Sequence, residues 1–135
     1  SAASDVYKRQ YQWWMEAVTD RDDFEGQNFS ASYYTCNLRD GKNLSDAYLA
    51  SNAELKLAHS KGSKSSSVLI RPASGTNAAE FPFDFVRLFT NPSFTNWGEA
   101  VDGWYDNVRG SAESNNVRDT YDCNGSTLFT GRIVR

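Results

Sequence analysis

Phe81 to Phe89 (FPFDFVRLF) is the most apolar segment of the chain, and as a strand it would carry bulky apolar side chains on both faces. Such a strand belongs in the middle of a sheet with cover on each side. The 135 residues are enough for one core that buries about two-thirds of the surface of the unfolded chain. What surrounds the segment therefore decides the architecture.

Two helices flank it. Asn43 followed by Asp46 is a near capping box, and Leu44, Tyr48, Leu55 and His59 share one helical face before Gly62 stops the helix. Downstream, Asn96 and Glu99 make a second box, and Trp97, Val101, Trp104, Tyr105 and Val108 form a stripe that closes at Gly110. Gly98 and Gly103 weaken this helix by about 1 kcal/mol each against alanine. Strands are expected at Phe29 to Leu38 and at Ser67 to Arg71, where the β-branched run ends at Pro72. Ser60 to Ser66 and Ala73 to Glu80 read as loops. Thr120 to Cys123 and Ser126 to Val134 flank Asn124-Gly125, which is either a hairpin turn or a bulge in one long strand.

At the N-terminus, Tyr7, Tyr11, Trp14, Met15 and Val18 predict an extra helix ending near Asp20. Asp5 to Gln10 resembles a translated adapter remnant of environmental sequencing, so the first ten residues are expected to carry no function. The pattern WMEAV from Trp14 to Val18 echoes WGEAV from Trp97 to Val101, and each precedes a Tyr-x-Cys, at Tyr34 to Cys36 and at Tyr121 to Cys123. The echo is either coincidence among amphipathic helices or the remnant of a preceding copy of the domain. Residues 1–27 are accordingly read as an extension and residues 28–135 as the domain.

From Phe29 onward the order is strand, helix, strand, strand, helix, strand. Two right-handed crossovers on one antiparallel sheet give an α+β, ferredoxin-like βαββαβ sandwich with helices on one face. The apolar far face then calls for a second sheet, and a homodimer packed face to face supplies it. With the segment CNLRDGK at Cys36 to Lys42 leading into a helix, and FPFDFV at Phe81 to Val86, the chain resembles the dimeric α+β barrel superfamily and is similar to uncharacterised proteins of marine bacteria. The resemblance implies a small-molecule binding protein, or a cofactor-independent enzyme of the monooxygenase or isomerase kind, with its pocket between sheet and helices. The alternative is a non-catalytic dimerisation or assembly module.

Composition narrows the partners. Fourteen basic against seventeen acidic residues, interspersed, give a net charge of −3 and no basic footprint for nucleic acid. No apolar run reaches the roughly 20 residues of a membrane span, so no membrane partner is expected. Three Asn-x-Ser sequons, at Asn28, Asn43 and Asn124, would matter only in a eukaryotic secreted protein, and no signal segment opens the chain, which slightly favours the cytoplasm. No phosphate loop, nucleophile elbow or metal-binding histidine pair occurs, and the single histidine makes a structural metal improbable.

Four residues are candidates for chemistry. Asp84 interrupts the apolar run, and is either a base or anchor in a pocket or one half of an ion pair with Arg71 or Arg87. Arg71 and Arg87 could clamp a carboxylate or serve structural pairs. Strand alternation puts Arg87 with Phe85 and Phe89 on one face, and Asp84 with Val86 and Leu88 on the other. His59 is a conceivable base, but at the C-terminal end of a helix beside a Lys/Ser-rich loop it reads first as a helix-end residue. The resembled superfamily includes haem proteins, yet no cofactor and no metal are expected here. Cys36 and Cys123, on neighbouring strands, read first as buried free thiols, with a disulfide or a nucleophile as alternatives. Trp13, Trp14, Trp97 and Trp104 could line a pocket for a small apolar or aromatic ligand, although their helical spacing marks them as core.

Overall fold

The computed structural model of the chain describes residues 12–17, 28–74 and 81–132. The elements run β1 (Gln12–Ala17), β2 (Asn28–Leu38), α1 (Leu44–Ser60), β3 (Ser66–Ser74), β4 (Phe85–Asn91), α2 (Phe94–Gly103), a π-helical turn (Trp104–Val108), α3 (Ala112–Thr120) and β5 (Tyr121–Arg132). The strands form one sheet in the order β1-β3-β4-β2-β5, antiparallel at every joint. The fold is thus α+β, and β4, cut from the most apolar segment of the sequence, is the middle strand.

Local chemistry accounts for most boundaries. The Asn43 side chain accepts from the backbone N–H of Asp46 at 2.9 Å while the Asp46 carboxylate accepts from the N–H of Asn43 at 2.9 Å, so α1 starts on a reciprocal capping box. Its end comes at Gly62, whose φ of +96° suits glycine in the left-handed region. The predicted cap at Asn96 gives way to Ser93, which begins α2 three residues earlier and accepts from the Asn96 N–H at 3.1 Å. After Gly103 the helix widens, and Arg109 N–H reaches back five residues to the Trp104 carbonyl at 2.8 Å.

Three expectations are corrected. Gln12–Ala17 is a strand paired with β3 in place of the predicted helix, and the rest of that helix lies outside the described residues. Tryptophan and methionine tolerate either conformation, and the outer edge of β3 offers a ladder that an isolated helix cannot use. The pattern WMEA therefore sits on a strand at Trp14 and its echo on a helix at Trp97. Second, β4 begins at Phe85 rather than Phe81, because Pro82 lacks an N–H and the Asp84 carboxylate accepts from Leu38 N–H at 2.7 Å, closing the strand end. Third, β3 runs past Pro72 to Ser74, and the β1–β3 register slips beside Pro72, where a strand tolerates proline.

The ambiguity at Asn124-Gly125 resolves as a bulge. β5 is one strand whose register against β2 shifts between Tyr33 and Thr35, with Gly125 at φ +61°. Farther along, Gly131 faces Phe29, whose ring covers the place where a Cβ would stand.

The helices α1, α2 and α3 lie on one face of the sheet. Cys36, Leu69, Phe85 and Tyr121 from the strands meet Ala47 and Leu55 of α1 there, with Tyr48, Ala58 and Val117 packed around them. The Phe85 and Tyr121 rings meet edge to face with centroids 5.1 Å apart. Cys36 and Cys123, directly opposite each other on β2 and β5, are joined by a disulfide, which corrects the expectation of free thiols. Their Cα atoms are 4.1 Å apart, a spacing typical of the close, non-hydrogen-bonded pairs of an antiparallel ladder.

The bond links positions 87 residues apart, a loop for which chain entropy gives a stabilisation of about 4 to 5 kcal/mol. A Cys36→Ala/Cys123→Ala variant should lose stability of that order, read as a lower urea midpoint. An unchanged midpoint would mean that the thiols are not joined in the folded protein.

Candidate functional site

Strand alternation turns Phe85, Arg87, Phe89 and Asn91 of β4 toward the helices, and Ser32 and Tyr34 of β2 lie beside them. Above this floor, Glu54, Leu55 and Ala58 come from successive turns of α1, and Trp97, Ala100, Val101 and Trp104 from α2 and the turn after it. Val117 and Arg118 of α3 and Tyr121 of β5 close one side. Between floor and roof is a partly open cavity of about 520 Å³. Aliphatic and aromatic side chains share its walls with serines, Asn91 and five charged residues; Arg39, Arg118 and Asp122 are exposed, and the two buried charges, Glu54 and Arg87, are together at one place.

That place is Arg87. Its side chain is 6% exposed and its partner Glu54 9% exposed, with Arg87 Nη1 and Glu54 Oε1 3.1 Å apart. The same Nη1 donates to Tyr121 Oη at 2.6 Å, and Nε donates to Ser67 Oγ at 3.3 Å. Tyr121 Oη and Ser51 Oγ share a further hydrogen bond at 2.7 Å. The guanidinium carbon lies 4.3 Å from the centroid of the Phe89 ring, a cation–π distance. Nη2 is buried and has no hydrogen-bond partner among the described residues. Burial pushes the Tyr121 phenol above its ordinary value, and the nearby Arg87 charge and the Ser51 hydrogen bond pull the other way. Tyr121 therefore stays a neutral hydroxyl throughout the physiological range.

The four sequence candidates do not converge. Arg87 is in the cavity wall, inward-facing as strand alternation predicts. Asp84 is exposed before the start of β4, where its carboxylate holds Leu38 N–H and its own N–H donates to the Cys36 carbonyl at 3.0 Å. Arg71 is exposed on β3 opposite Trp14 of β1, and is not among the residues lining the cavity. His59 is half-buried at the end of α1, where Nε2 donates to the Ser65 carbonyl at 2.5 Å and pins the following loop. Trp97 and Trp104 do line the cavity. Among the described residues, no group of three or more His, Cys, Asp or Glu side chains is placed to hold a metal ion.

The residues that sequence reasoning missed are Glu54, Tyr121, Ser51 and Ser67. Glu54 had a signal: it falls between Ser51 and Ala58 at helical spacing, on the flank of the stripe formed by Leu44, Tyr48 and Leu55. A carboxylate among small residues on an inward flank needs a buried cation, and Arg87 supplies it. Tyr121 had none, because it lies immediately after a helix too polar to be recognised.

A buried pair is costly to break and cheap to replace. Glu54→Gln or Arg87→Met alone should cost about 3 to 5 kcal/mol, since each leaves its partner charged and uncompensated. The double variant Glu54→Leu/Arg87→Met should be more stable than either single one, as measured by chemical denaturation. Additive losses would show that the two side chains do not interact.

No family model, curated protein or solved structure matches this chain.

Proposed function

We propose that the chain is a small-molecule binding protein whose site is the cavity between the sheet and its helices. The observation that carries this reading is a buried polar cluster centred on Arg87, in the wall of a cavity that Phe89, Trp97, Val101, Trp104 and Val117 also line. Binding sites for organic molecules have this constitution, and the cavity volume falls within their usual range of roughly 300 to 1,000 Å³. Binding is preferred to catalysis of the monooxygenase or isomerase kind because Glu54 and Arg87 are committed to each other. Neither is left as a free base or acid.

The strand order from Asn28 onward, with its helices on one face, supports a ferredoxin-like sandwich. The opposite sheet face carries Val68, Ile70, Val86 and Leu88, together with Tyr33 and Phe129, which are 37% and 41% exposed. That composition supports a homodimer joined face to face, and it is what the alternative reading of an association module would also use. The Cys36–Cys123 bond favours an oxidising compartment over the cytoplasm.

Indole, titrated into the labelled protein and followed by NMR, should shift the signals of Trp97, Val101 and Val117 and leave those of Val68, Ile70 and Leu88 in place. Ala100→Trp, which fills the cavity, should abolish the shifts without lowering the melting temperature. Shifts confined to the opposite face, or none at all, would remove the binding reading. Sedimentation velocity should find a dimer that Val86→Lys/Leu88→Lys converts to a monomer, whereas a monomeric parent would remove the dimer.

A further inference from the structure

Arg39, Arg118 and Asp122 line the cavity and are exposed, which puts them at its mouth. The buried charges of the wall, Glu54 and Arg87, offset each other. What remains at the mouth is two cations against one anion. Among the described residues neither Arg39 nor Arg118 forms an ion pair, so Asp122 leaves both guanidiniums available.

Arg39 is also held in place. Its backbone N–H donates to the Thr120 carbonyl at 3.0 Å and its Nε to the Arg118 carbonyl at 2.6 Å, so the end of α3 fixes the guanidinium at one edge. Its Nη1 and Nη2 make no hydrogen bond to the described residues. These two groups are arranged to donate to both oxygens of a carboxylate, and part of the entropy of ordering the side chain has already been lost. Inside the mouth, Trp97, Val101, Trp104 and Val117 offer apolar and aromatic surface. A molecule with an aromatic body and one anionic end matches both regions. Its ring leaves water for the interior, whereas its charge stays at the exposed rim and escapes most of the cost of desolvation.

We propose that the cavity takes small aromatic carboxylates, with the ring inside and the carboxylate received at the mouth by Arg39 and Arg118. The inference rests on the cavity being a binding site. Charge at the rim should then set the order of affinities among ligands that share one ring. Indole-3-acetate should bind about fivefold or more tightly than indole-3-acetamide, which has the same outline without the charge, and tryptamine should bind weakest.

Calorimetric titration of these three probes into the intact protein tests this. Arg39→Gln/Arg118→Gln should bring indole-3-acetate to within about twofold of indole-3-acetamide while the affinity for the amide is unchanged. Asp122→Asn, which removes the opposing charge, should widen the preference for the carboxylate. Should loss of the Arg39 bond unfold the double variant, Arg118→Gln alone, at an exposed helical position, should still narrow the preference. Raising the salt from about 0.05 to about 0.5 M should narrow it in the parent protein as well, since charges at an exposed rim are screened. Equal affinities for the carboxylate and the amide, or a preference that the variants leave untouched, would overturn the carboxylate site and leave the cavity as a binding site. Binding of indole-3-acetate that survives Ala100→Trp would put the anion on the outer surface and overturn it too. No binding of any probe would remove both the carboxylate site and the binding reading beneath it.

Discussion

A guanidinium buried on the middle strand of a sheet is largely withdrawn from water, so it must bring its counter-charge inside with it. Glu54 of α1 fulfils this for Arg87 of β4, and the requirement fixes more than one contact. Helix α1 has to sit above β4 at the height that brings Glu54 Oε1 to the guanidinium. Tyr121 must start β5 with its hydroxyl at the same point, and Ser51 and Ser67 must be small enough to stand beside them. Replacing such a pair by apolar groups of similar volume is often harmless to stability.

Much of the architecture was legible because it is written in short-range chemistry. The capping box at Asn43, the stop at Gly62 and the alternation through Phe85, Arg87 and Phe89 each depend on a few adjacent residues, and each has its structural counterpart. Where the sequence misled, longer-range terms prevailed. Gln12–Ala17 forms a strand because β3 presents an edge, something no local window contains. Helix α3 escaped notice because AESNNVRDT has a single large apolar residue, Val117. Its only markers are the cap at Ser111, which accepts from Ser114 N–H at 3.1 Å, Glu113 in the first turn and Arg118 in the last.

The candidate site was legible in one residue of four. Alternation alone places Arg87 inside, and nothing comparable locates Glu54 or Tyr121, which lie 33 and 34 positions away in sequence. Asp84 drew attention as a charge in an apolar run, but an acidic residue just before a strand also serves as a backbone acceptor, as it does for Leu38. The cysteines misled in a similar way. Proximity of strands was foreseeable, whereas the exact opposition of Cys36 and Cys123 depends on a register that the Gly125 bulge helps to set.

The sheet order also has a consequence for the chain as it is made. β2 lies between β4 and β5, and β5 is the last of the described elements to be made. Until synthesis reaches residue 121, the outer edge of β2 is an open row of backbone donors and acceptors flanked by Phe29, Ala31 and Tyr33. The nascent protein is therefore exposed to faulty pairing with other chains until β5 has been made. The half-cystine on that open edge, Cys36, can find its proper mate only when β5 arrives.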